Sequence, residues 1–410
     1  MVARRSRWRA RWAACALGAA CATAAGCGGA GALSATSLSP SALASGASHA
    51  SRADPAARGV TSAAAACVTR VYGQMTPAQR VGQLFLVGLP DDLAGSASLV
   101  ALQDYHFGSV LLAESADGTA SLAAADASIQ ALAPSATRGV RFLVAANQEG
   151  GEVQQLTGAG FATIPSALVQ GTWTVSTLRA QAATWGSALR AAGVNLDLAP
   201  VMDVVPTATA AENAPIGALD REFGSDPEGN GAHGAAFIEG MAQAGVASVA
   251  KHFPGLGQVT GNTDFTANVV DGVTTADDPD LNSYRAAIGA GVRFMMVALA
   301  TYTRIDPARL AVFSPVVMRL LRSGLGFGGV IVSDDLGDAA AVASIPAGER
   351  AIDFLDAGGD LITSQSIAPA EEMASAVVAE ASENGTFRSV VDDAVQRVLT
   401  AKEAQRLLPC

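Results

Sequence analysis

The stretch KHFPGLGQVTGNTDF (251–265) sets Lys251 beside His252, continues through a Pro-Gly turn and a Gly-rich loop, and reaches a lone acid, Asp264. Only four histidines occur in the chain, so proton transfer within this loop falls to His252 or Asp264. Three other polar clusters interrupt apolar surroundings: NQEGG (147–151), PVMDVVP (200–206) and SDDLGD (333–338). Several Asp residues with one Lys, one His and one Arg suit sugar chemistry. Sugars need many hydrogen bonds to hydroxyls and a pair of carboxyl groups around the scissile bond. No His and Cys residues stand at zinc-ligand spacing. There is no P-loop and no G-x-S-x-G nucleophile elbow. No cofactor and no metal are expected.

Such clusters need elements to bring them together. From about residue 68 onward, short β-branched apolar runs alternate with longer helical ones. Strands are expected at Gln83–Gly88, Gly108–Leu112, Arg141–Ala146, Asn195–Ala199, Val246–Ala250, Arg293–Ala298, Gly329–Ser333 and Asp360–Thr363. They are mostly continuous apolar runs, as parallel strands covered on both faces require. Helices are expected over Val175–Ala192, over Pro227–Ala244 after Ser225-Asp226, and over Pro315–Arg322 with Ser314 as N-cap and Gly324 as stop. Residues 369–405 read as one or two closing helices. Eight strands with intervening helices point to an α/β fold, a (β/α)8 TIM barrel in one domain; a doubly wound open sheet is the alternative. In the barrel the four polar clusters follow strands three, four, five and seven, at the face where such folds carry chemistry. Side chains alternate along a strand, so Asp334 and Asp335 point to opposite sides, one lining the mouth and the other bonding backbone. Structural alternatives stay open: an Asp pair capping the next helix, a Lys251-His252 pair without a ligand, and a helix-start salt bridge at Arg221.

The chain has 410 residues, half of them apolar, 15% charged, with a formal net charge of −11. The basic residues cluster only at the extreme N-terminus, so there is no basic face for nucleic acid. MVARRSRWRAR carries five arginines and WAACALGAACATAAG follows as a short apolar run, too short to span a bilayer. It ends at Ala24-Ala25-Gly26-Cys27, like a bacterial lipoprotein signal with lipid attached at Cys27; a plain secreted protein and a cytosolic Ala-rich tail are the alternatives. Cys21 is the weaker candidate, since Gly18 stands where a larger apolar residue is usual. Residues 28–66 read as a flexible Ala/Ser/Gly tether before a folded domain at 67–410. Cys67 and Cys410 can pair as a disulfide outside the cytoplasm, or stay as two free thiols.

Over nearly all of 68–400 the chain resembles glycoside hydrolase family 3, specifically the single-domain β-N-acetylglucosaminidases of peptidoglycan turnover. The resemblance rests on MTPAQRVGQLFLVG (75–88), NQEGGEVQQL (147–156), NLDLAPVMDV (195–204), IGALDREFGSDP (216–227), KHFPGLG (251–257) and FSPVVMRLLRSGLGFGGVIVSDDLG (313–337), in one order. It implies the same barrel. It implies Asp334 as catalytic nucleophile, and Lys251, His252 and Arg221 as contacts to sugar hydroxyls and the N-acetyl group. Asn147 stands where most members carry an Asp that binds a sugar hydroxyl, Glu152 where Arg is usual, and Leu256 and Leu299 where His is common. Members also carry an Asp-Ser-His loop whose His is the general acid/base; counted from Gly257, those positions fall on Asn262, Thr263 and Asp264. Asp264 then takes the acid/base role, provided that its pKa rises well above the usual carboxylate range. It can instead be a turn residue, with Glu152 the next donor to consider. The function implied is a retaining exo-acting β-N-acetylglucosaminidase acting as a monomer on GlcNAc-containing muropeptides, lipid-anchored outside the cytoplasm. A carbohydrate-binding relative with little catalysis is the other class, favoured by Asn147 and the missing His; another β-glycosidase specificity is a third.

Overall fold

The computed structural model describes residues 55–90 and 95–410. Residues 60–410 form one compact unit around a closed barrel of eight parallel strands. In chain order these are β1 (Phe85–Gly88), β2 (Ser109–Leu111), β3 (Leu143–Ala146), β4 (Leu196–Asp197), β5 (Ala247–Phe253), β6 (Phe294–Val297), β7 (Val330–Asp335) and β8 (Leu361–Ser364). Each strand pairs with the next, and β8 returns to β1 with Phe85 opposite Ile362. The closed (β/α)8 arrangement replaces the open-sheet alternative. Nearly every strand residue is buried, because one face fills the barrel and the other packs under helices.

The helices begin where the sequence supplies caps. Asp226 accepts the Gly229 amide at the start of Pro227–Gln243, Thr174 accepts the Thr177 amide before Val175–Ala191, and Ser314 accepts the Val317 amide before Pro315–Arg319. Each satisfies an orphan amide of a first turn. Two closing helices, Ile367–Glu383 and Gly385–Ala404, follow β8.

Two expectations need correction. Strand five continues past Ala250 through Phe253, because Phe253 still pairs with Val297 and Lys251 bridges Val201. Lys251 and His252 are therefore strand residues, not loop residues. The helix Pro55–Gln74 also starts inside the expected tether of 28–66. Ala63–Ala66 favour helix, and Cys67, Val68, Val71 and Met75 bury in the core. Cys27, Cys21 and the rest of the expected tether lie outside the described residues.

The N-terminal end of the barrel is closed by the C-terminus. Cys67 and Cys410 form a disulfide with Cα atoms 6.0 Å apart. The Arg141 amide donates to the Leu407 carbonyl, and the fully buried Lys402 Nζ donates to Gln83 Oε1 and to the Gly108 carbonyl, each at 2.7 Å.

Candidate active site

The opposite end of the barrel gathers the polar clusters. Lys251 and His252 close β5, and the peptide bond between them is cis. His252 is fixed by Asp203, from the loop after β4: Nδ1 lies 2.8 Å from Asp203 Oδ2, and the His252 amide donates to Asp203 Oδ1. The Leu256 amide and the Tyr284 hydroxyl donate to the same oxygen at 2.9 Å. Burial pushes the Asp203 carboxyl up, but the His252 side chain and these amides outweigh it, so it lies below the usual range. With Nδ1 committed, Nε2 is the ring nitrogen left for a ligand. Gly257 packs the β5 loop onto the β4 loop so tightly that a Cβ would collide with the Val204 carbonyl.

A second hub is Glu149, in the loop after β3. Arg221 grips it with Nε and Nη2, both at 2.8 Å, and Lys251 Nζ lies 2.7 Å from Oε1. Lys251 also donates to Asn147 Oδ1 at 2.9 Å, and Arg221 Nη1 donates to the Pro215 carbonyl. Burial pushes Glu149 up, but Arg221 and then Lys251 hold it down at about 2. Nearby on β4, Asp197 is fully buried; one oxygen accepts the Gln148 amide at 3.0 Å and the other has no hydrogen-bond partner among the described residues. Burial raises this carboxyl to about 7.

At the end of β7 the two adjacent acids divide as alternation requires. Asp335 is buried and accepts the amides of Gly337, Asp338 and Gln365. Asp334 is half-buried and, among the described residues, accepts only the Asp335 amide. Asp335 is thus spent on the turn, and Asp334 is the acid left for the mouth.

Asp264 joins this group. Asn262 and Thr263 are buried, and Asn262 Oδ1 accepts the Asp264 amide at 2.9 Å in an Asx turn. The Asp264 carbonyl accepts the Ala340 amide and the Thr263 carbonyl accepts the Ala341 amide, each at 3.1 Å, which ties this loop to the segment after β7. The Asp264 carboxyl is raised to about 7 by burial, then by the charges of Asp334 and Asp335, against smaller opposing effects of Arg221 and Lys251. A neutral carboxyl beside an ionised one can donate a proton while its neighbour attacks.

Other residues singled out by sequence lie elsewhere. Glu152 is exposed at the tip of the Gln148–Gly150/Val153–Gln154 hairpin. Leu256 and Leu299 are buried in the core. The hubs Glu149, Asp203 and Asp197 were not singled out, although Glu149 lies in NQEGG beside Asn147, and Asp197 and Asp203 lie in the quoted run NLDLAPVMDV. Among the described residues no group of three His, Cys, Asp or Glu could hold a metal ion.

The glycosyl hydrolase family 3 N-terminal domain matches residues 78–401. A β-hexosaminidase, LpqI of Mycobacterium tuberculosis, is 33% identical over 300 residues, covering 70% of this chain and 72% of its own. The crystal structure of a β-N-acetylhexosaminidase from Beutenbergia cavernae superposes with a TM-score of 0.77 at 47% identity, over 80% of this chain and 99% of that one. A family 3 β-N-acetylglucosaminidase from Paenibacillus superposes with a TM-score of 0.73 at 27% identity, over 81% and 63%. With the barrel, the two charged hubs and a family match across most of its length, the chain belongs to glycosyl hydrolase family 3 and is a glycoside hydrolase.

Proposed function

We propose that this hydrolase is a retaining, exo-acting β-N-acetylglucosaminidase that removes terminal N-acetylglucosamine from peptidoglycan-derived fragments. Asp334 is the nucleophile and Asp264 the acid/base. The observation that carries this reading is the loop that ties Asp264 to the segment directly after Asp334, through the Ala340 and Ala341 amides; burial and then the charge of Asp334 raise the Asp264 carboxyl there. An Asp334 oxygen attacks the anomeric carbon as Asp264 gives its proton to the glycosidic oxygen. The C1–O bond breaks, and the leaving alcohol departs with that proton. In the resulting ester Asp334 no longer carries charge, so its push on Asp264 is gone and the Asp264 pKa falls. Asp264, now a carboxylate, takes a proton from the water that attacks C1; Asp334 is released and Asp264 is protonated again. Lys251, His252, Arg221 and Asn147 hold the sugar, each positioned by Glu149, Asp203 or its neighbour in the network.

The test is turnover of a chromogenic N-acetylglucosaminide by the native chain and by Asp334→Asn, with peptide mapping after a mechanism-based fluoro-sugar. The reading expects turnover lost in the variant by several orders of magnitude and the label on Asp334. A label on Asp335 would contradict the assignment.

The same reading has the chain lipid-anchored through Cys27 outside the cytoplasm. The Cys67–Cys410 disulfide supports an oxidising compartment. Cys27→Ser is expected to release the protein into the medium or leave it unprocessed; a diacylglycerol-modified peptide at Cys21 would move the site.

A further inference from the structure

Asp334 lies at the end of β7 and Asp264 in the loop after β5, and a single short segment touches the neighbourhood of both. Residues 336–345 leave β7 directly after the two acids, form a 3-10 turn at Ala340–Val342, and return to the helix Ala347–Ala357. In its middle, the amides of Ala340 and Ala341 hold the carbonyls of Asp264 and Thr263. At its two ends a buried guanidinium closes it. Arg350 Nη1 donates to the Leu336 carbonyl at 2.7 Å and the Gly337 carbonyl at 2.9 Å, and Nε donates to the Ile345 carbonyl at 2.6 Å. Asp335 fixes the same turn through the amides of Gly337 and Asp338.

We propose that Arg350 is a positioning residue: it holds residues 336–345 as a clip that sets the placement of the proton donor Asp264 relative to the nucleophile Asp334. Arg350 need not touch substrate. Three carbonyls on one guanidinium fix the mouth of the loop, and a fixed loop presents the two amides that hold the Asp264 main chain. Loosening the clip lets Asp264 drift from Asp334. Misplacement by about 1 Å far from the bond being broken can cost on the order of 10²-fold in rate. The raised pKa of Asp264 comes first from burial and then from Asp334 and Asp335, so drift toward solvent and away from them lowers it. The inference rests on the assignment of Asp264 and Asp334 made above.

The experiment compares Arg350→Gln, Arg350→Lys, Ala340→Pro and Asp264→Asn in the full chain. Ala340→Pro removes the amide bonded to Asp264. It suits the backbone, because Ala340 opens the 3-10 turn and Ala339 is extended at φ −64°, ψ 135°. Each variant is assayed on a GlcNAc disaccharide and on a dinitrophenyl N-acetylglucosaminide, across pH, with its thermal midpoint. Arg350→Gln and Ala340→Pro are each expected to lose about 10²-fold in kcat/KM on the disaccharide and much less on the activated glycoside. Their alkaline limb shifts to lower pH, and Arg350→Lys recovers part of the loss. Equal losses on both substrates with an unmoved alkaline limb, while Asp264→Asn does discriminate between them, would overturn the clip and leave the acid/base assignment standing. No discrimination in Asp264→Asn itself would overturn both. If Arg350→Gln does not fold, Ala340→Pro decides: native-like activity on the disaccharide overturns the proposal, and selective loss supports it.

Discussion

Lys251 donates to Asn147 Oδ1 across 2.9 Å, and an ammonium can only donate. The amide nitrogen of Asn147 is therefore the end left to meet a ligand. At this position the chain offers a sugar hydroxyl a neutral donor, where a carboxylate would offer a charged acceptor. Lys251 itself is already shared between Asn147 and Glu149, so its grip on a sugar depends on both neighbours.

Asn147→Asp should tighten substrate binding. A charged acceptor strengthens a hydrogen bond by about 1 kcal/mol over a neutral one, so KM for an N-acetylglucosaminide should fall roughly three- to tenfold with kcat little changed. Steady-state kinetics check this. An unchanged KM would mean that residue 147 does not reach the sugar.

Glu149→Gln should be strongly destabilising near neutrality. It leaves Arg221 and Lys251 without their shared counter-charge in a buried site, and breaking such a pair costs about 3–5 kcal/mol. Because Glu149 is depressed to about 2, its stabilisation is fully present above its ordinary value and fades as pH falls toward 2. Denaturant unfolding should therefore show a large difference from the native chain at neutral pH and a small one under acid. A constant difference would contradict the ion-pair account.

Much of this was legible in the sequence, and the reasons are local. The eight strands appeared as apolar runs, and the caps Ser314 and Asp226 sit directly before the turns they serve. Asp334 and Asp335 separated by the two-residue period of a strand. The hubs were harder to see, since Glu149 meets Arg221 72 residues away and Asp203 meets Tyr284 81 residues away. No periodicity encodes such a pairing; only barrel closure creates it. The same holds for Arg350, whose partners become visible only once the β7 loop has folded back. The helix at 55–74 was hidden because an Ala-rich run reads equally as tether, even though Cys67, Val68 and Val71 anchor it in the core.

Asp197 offers a pH test with the opposite sign. Its carboxyl is raised to about 7, so between about 4 and 7 the folded chain holds a proton that the unfolded chain has released. Stability contributed by this group falls as pH rises through that window. Asp197→Asn keeps an acceptor for the Gln148 amide and cannot ionise. Unfolding midpoints at about pH 5 and about pH 8 should fall less between the two in the variant than in the native chain. Parallel falls would place the titration elsewhere.

Cys410→Ser should lower stability without touching the chemistry. The disulfide links residues 343 apart in sequence, and loops of that scale stabilise by about 3–5 kcal/mol through the unfolded state. Cys410 lies by the N-terminal end of the barrel, opposite the candidate site. Thermal unfolding should shift downward while kcat of the folded variant stays native. A matching fall in kcat would mean that the closure at the barrel bottom reaches the mouth.

The most direct test of the account is Asp264→Ala, assayed on a GlcNAc disaccharide and on an activated aryl N-acetylglucosaminide, with and without azide. If Asp264 is the acid/base, the disaccharide should be nearly inert, because its leaving alcohol needs the proton. The aryl glycoside should still form the Asp334 ester, and azide should restore its turnover, since azide attacks without a general base. Equal losses on both substrates and no response to azide would contradict the account and pass the proton to another residue of the mouth.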